Sequence, residues 1–155
     1  HICTLLELAR PLSPYYWITV ADMACPFIAV VEHTNLLPDD GYRCHAVYLS
    51  RYADEKSDLF RSSDEHLQKQ FLNALMRLFP QWDRSTIIKV QVNRARDVQP
   101  VICRGYSRIL PPLATPINNL YLASMAQIYP EDRGQNYAIR MGRRIARLVD
   151  SAQFH

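Results

Sequence analysis

Glycine is scarce in this sequence, with only four in 155 residues, and no G-x-G-x-x-G run occurs. A glycine-rich turn that cradles a pyrophosphate is therefore excluded from the chain. The four cysteines, Cys3, Cys25, Cys44 and Cys103, form neither a C-x-x-C pair nor a cluster of zinc-binding spacing. Adjacent Cys44 and His45 would point to opposite faces of a strand, so no metal site is expected. Thiols spaced in this way read as free cysteines in a reducing compartment, and a cytoplasmic location is expected. No secretory leader is visible, and no apolar run approaches the roughly 20 residues of a spanning helix, so no transmembrane segment is expected. The basic excess is small, 18 Lys and Arg against 15 Asp and Glu. A net charge of +3 does not argue for nucleic acid.

What is present is a foldable composition. Hydrophobic residues make up 48% of the chain, including nine Tyr, five Phe and two Trp, which is enough for a core. Strand-like phrases rich in β-branched and aromatic residues run over 2–8, 15–22, 27–34, 44–52 and 86–93, the last with Ile88, Val90 and Val92 on one face. Asp40-Gly41 has the chemistry of a hairpin tip. Between the fourth and fifth strands, Leu67, Phe71, Ala74, Leu75 and Leu78 recur at helical spacing. Ser62-x-x-Glu65 resembles a capping box at the start of that helix, and Pro80 marks its stop. The expected fold class is α+β, a mainly antiparallel sheet with a covering helix.

The last forty residues read differently. Residues 119–123, Asn-Leu-Tyr-Leu-Ala, are apolar on both faces, as in a buried parallel strand, and a helix follows over 135–149. The start of such a helix accepts electron-rich groups. A division into 1–112, an α+β domain, and 113–155, a strand-helix segment, is expected. The sequence from His1 is strand-like at once, which reads as an excised segment.

The stretch from Asn119 to Ala146 resembles the C-terminal flavin motif of FAD-dependent oxidoreductases of the amine oxidase, protoporphyrinogen oxidase, phytoene desaturase and UDP-galactopyranose mutase-like superfamily. Leu120-Tyr-Leu-Ala123 is similar to its L-Y-L-A strand, Gly134 to Ala138 to the helix start, and Gly142 to the helix interior. Ser124-Met125 stands where that motif has Gly-Asp, so the resemblance implies that the acidic contact to the cofactor is absent or altered. The phrases Tyr15 to Ile18, Val31 to Asn35, Val47 to Tyr52 and Gln99-Pro100 are similar to the substrate domain of the same proteins. The resemblance implies that the last unit joins a Rossmann-type FAD domain lying outside this sequence, and that Ser124, Met125, Gly134, Gln135 and Asn136 approach the flavin. It implies an unidentified small-molecule substrate bound by Tyr16, Glu32, His33, Tyr48 and Tyr52, unless these are ordinary core or surface residues. No acid-base residue is singled out. The chain alone is expected not to hold FAD, and apolar Leu120 to Leu122, lacking sheet neighbours, to favour a homodimer.

A stand-alone binding or interaction domain is the competing reading. Arg140, Arg143, Arg144 and Arg147 would then form part of a partner surface, although a solvated helix face also accounts for them.

Overall fold

A computed structural model describes residues 1–37 and 41–153. The proposed hairpin residue Asp40 lies outside the described residues, while Gly41 is described and has φ 86°. Two units are distinguished, His1–Val98 and Gln99–His155, a division that falls earlier than the 112/113 boundary expected from sequence.

The first unit is a five-stranded sheet with helix on one side. Its strands are β1 (Ile2–Leu8), β2 (Trp17–Thr19), β3 (Ala29–Glu32), β4 (His45–Arg51) and β5 (Ile87–Arg94). Their spatial order is β2-β3-β4-β1-β5, every neighbouring pair antiparallel. Because β1 alternates in burial, Ile2, Thr4, Leu6 and Leu8 face inward, and the register sets Leu49 opposite Thr4 and Val47 opposite Leu6. The short helix α1 (Asp58–Arg61) leads into α2 (Asp64–Leu78), which lays Leu67, Phe71, Leu72, Ala74 and Leu75 onto that face. Phe27 and Phe71 meet with ring centroids 5.5 Å apart. Each of these large side chains, fully withdrawn from water, contributes about 1.5–3 kcal/mol, so this one layer is the core of the unit.

Two details differ from the sequence expectation. The cap of α2 is Ser63, whose hydroxyl accepts from the His66 backbone N–H, while Ser62 closes α1 by donating to the Asp58 carbonyl. Ile88 does not share a face with Val90 and Val92, because Glu7 pairs with Lys89 and Leu8 with Ile87. Ile88 is the extra residue of a β-bulge, and its side chain turns outward, 58% exposed.

In the second unit Tyr106 is buried, with its ring 5.6 Å from that of Tyr129 and its hydroxyl donating to the Ala126 carbonyl at 2.9 Å. Residues 119–123 are not the expected parallel strand. They form one antiparallel bridge, Ala114 to Tyr121, with the Leu122 N–H donating to Leu113. Asn119 at φ 61° interrupts the extended run, and Leu120 and Leu122 stay 49% and 40% exposed. An extended segment with no neighbouring strand satisfies its backbone on the nearest antiparallel neighbour. Helix α3 runs over Gln135–Gln153. No helix of the described residues is long and apolar enough to cross a membrane.

Candidate functional site

A short hydrogen-bonded turn precedes α3 in the chain. Ser124 and Gln127 form a capping box around the short 3-10 turn Met125–Gln127. The Gln127 amide also donates to the Pro111 and Leu122 carbonyls at 3.0 and 3.3 Å, which ties that turn to the loop before it. Ser124 and Met125 are therefore turn residues rather than the end of a strand, the hydroxyl of Ser124 being spent on the Ala126 N–H. Further along, the Gly134 carbonyl accepts from the Tyr137 and Ala138 N–H groups and so opens the helix. The first backbone N–H groups of a helix have no partner within it, which leaves those at Gln135 and Asn136 aimed out of its N-terminus. A Cβ at Gly134 would stand 2.7 Å from the Asn136 side-chain oxygen, so glycine is what lets that amide fold back.

Arg133, legible in the sequence only as the first of the C-terminal basic residues 133, 140, 143, 144 and 147, directly precedes Gly134 and this helix start. One of its Nη atoms donates to the Gln99 amide oxygen at 2.8 Å, and its Nε is buried without a partner. A buried donor left unmade is costly, and the Arg133 Nε is such a donor. Arg140 is committed elsewhere, bonded to Glu131 at 3.1 Å and lying over the Tyr137 ring at 4.6 Å. The Glu131 carboxyl is held below the usual carboxylate range by its own backbone N–H and by Arg140. A helix N-terminus beside an unsatisfied guanidinium suits an electron-rich, hydrogen-bond-accepting group.

Of the substrate residues expected in the first unit, His33 and Tyr48 come together. Their rings meet edge to face, with centroids 6.3 Å apart, and Tyr42 joins them through a 3.1 Å hydrogen bond to His33 Nε2. Tyr48 sits on the sheet face opposite α2, in register with Val31, Trp17 and Leu5. Tyr42 lies in the turn-rich segment after β3, where nothing in the sequence marks it as a neighbour of His33. Tyr16 lies beside Trp17, and Tyr52, at the end of β4, beside His1.

Glu32 is placed otherwise. It is 1% exposed on the α2 side of the sheet, where its carboxylate accepts from the Leu12 and Ser13 N–H groups at 3.0 and 2.9 Å. Its nearest titratable neighbour, His45, stands at 3.8 Å, beyond hydrogen-bond reach. Among the described residues no group of three His, Cys, Asp or Glu gathers as a metal site, and all four cysteines are free thiols. No protein-family model, no curated protein and no solved structure matches this chain.

Proposed function

We propose that this chain is the C-terminal portion of an FAD-dependent oxidoreductase of the amine oxidase and desaturase superfamily, contributing the substrate-side sheet and one edge of the flavin site. The observation that carries the reading is the start of α3. The N–H groups of Gln135 and Asn136, in the first turn of a 19-residue helix, have no partner within it, its positive end lies beside Gly134, and the buried Arg133 Nε lacks a partner. The flavin, when bound, would supply the two-electron acceptor for oxidation of a C–N or C–C bond, or serve a redox-neutral rearrangement. The chain's own residues orient and polarise. Donors fixed at the helix start favour electron density on the pyrimidine side, and Arg133 adds a full positive charge there. The His33, Tyr42 and Tyr48 cluster offers a hydrogen-bonded imidazole and phenol pair able to position a polar substrate group or pass a proton. The pyrophosphate would be held by a domain outside this sequence.

The test is flavin content in the full-length protein that carries this segment, read from absorbance near 450 nm and from released FAD. Gly134→Val and Arg133→Ala should each lower flavin occupancy while changing the melting temperature little. A full-length protein without flavin, or one whose occupancy both variants leave intact, refutes the reading. Arg143, Arg144 and Arg147, which have no carboxylate partner among the described residues, favour a second reading, an interaction domain for an acidic surface. Absence of flavin together with salt-sensitive capture by an acidic partner would support it.

A further inference from the structure

We propose that the cleft between the Leu12–Tyr15 turn, β2 and the C-terminal end of α2 binds an elongated apolar molecule ending in a cationic group. The cleft is an open groove with room for about 520 Å³. Small-molecule sites fall at roughly 300–1,000 Å³ and combine apolar walls with a few polar groups. Here Leu12, Ile18, Val20, Leu78 and Phe79 supply apolar surface, and Asp22 is the single charged residue at the rim. Leu12, Ile18, Val20 and Phe79 pack on the core yet remain only half-buried, so each keeps a part of its surface turned from the core.

Two features distinguish this cleft from a casual surface groove. Its turn is fixed from behind, because the buried Glu32 carboxylate holds the Leu12 and Ser13 N–H groups and the Asn35 amide donates to the Ser13 and Tyr15 carbonyls at 2.8 and 3.1 Å. A prebuilt wall costs a ligand little ordering. The charge is also one-sided. Asp22 uses one carboxylate oxygen to accept from the Ala24 N–H at 2.9 Å, and no Lys, Arg or His lines the cleft to bind an anion. A positively charged end is therefore preferred over a neutral or negative one. This site lies wholly within His1–Val98 and does not rest on the flavoenzyme reading.

The experiment titrates the whole chain with decylammonium, decanol and decyl sulfate, each below its micelle concentration, by calorimetry and by amide chemical shifts. Decylammonium should bind at one site, about fivefold tighter than decanol, the step an exposed ion pair supplies, and decyl sulfate should bind weakest. Asp22→Asn, which can keep the Ala24 contact, should erase the preference for ammonium and leave decanol affinity unchanged. Leu78→Trp, which fills the cleft, should weaken both by about tenfold or more. Circular dichroism checks that both variants remain folded. The proposal fails if no probe saturates, if the sulfate binds as well as the ammonium, or if folded Leu78→Trp binds like the parent chain.

Discussion

Replacing Glu32 should be among the most damaging single changes in the first unit, although no charged partner lies within hydrogen-bond distance of it. In the folded chain the carboxylate is 1% exposed and accepts two backbone N–H groups, from Leu12 and Ser13, together with a longer contact from the Ser13 hydroxyl at 3.4 Å. A hydrogen bond to a charged group is worth about 1.5–3 kcal/mol, and a buried donor left behind costs about 1–3 kcal/mol. Against this stands the desolvation of the carboxylate, which removal recovers in part. The donors decide the balance, since they belong to a turn that Asn35 still holds and cannot readily reach water. Glu32→Ala should therefore destabilise by about 3 kcal/mol. Glu32→Gln should cost about 1.5–2 kcal/mol, because its amide can accept one N–H but presents its own donors to the other. Urea unfolding gives both values, and amide exchange at Leu12 and Ser13 should accelerate in each variant. The reasoning is refuted if Glu32→Ala lies within 1 kcal/mol of the parent, a margin set by the error of extrapolation, or if those two amides keep their protection.

Two further outcomes follow from buried or capping groups. Thr4 is fully buried on the α2 side of the sheet and its hydroxyl has no partner, so Thr4→Val, of nearly the same shape, should stabilise by about 1 kcal/mol in urea unfolding, and a loss of stability would show an unrecognised bond. The Asp83 carboxyl is held below its usual range by the Ser85 hydroxyl and N–H, with Arg10 adding to the effect. Its contribution is complete above the ordinary carboxylate range and is lost as pH falls through the lowered folded value. The melting-temperature gap between the parent and Asp83→Asn should accordingly be widest near neutral pH and close in acid, and a gap independent of pH would overturn the assignment.

Where side-chain period meets a single buried layer, the fold is legible. The alternation of Ile2, Thr4, Leu6 and Leu8 and the helical recurrence of Leu67, Phe71, Ala74 and Leu75 each describe one face, and each face meets the other. Local competition is harder to read. Ser62 and Ser63 are chemically equivalent caps, and which of them serves α2 depends on whether Asp58–Arg61 turns helical first. The bulge at Ile88 leaves no mark in the alternation of β5, since an inserted residue looks like any other strand residue. The apolar run at 119–123 shows the limit from the other side. Residue pattern alone describes a buried strand, but a strand exists only with a neighbour, and the neighbour present here is Leu113 to Thr115.

The candidate sites divide along the same line. Gly134 to Asn136 could be placed at a helix start from sequence because the determinants are local, whereas Arg133 needed Gln99, 34 residues away, to fix its guanidinium. Glu32 and His33 are consecutive and looked equivalent, yet the strand ends between them. Glu32 remains in register with Val47 and turns toward α2, while His33 begins a 3-10 turn and reaches Tyr42 and Tyr48. One residue of chain thus separates a carboxylate spent on holding a turn from an imidazole bonded to Tyr42. The sheet therefore has one face committed to the core and to the Leu12–Tyr15 turn. The other carries the His33, Tyr42 and Tyr48 group.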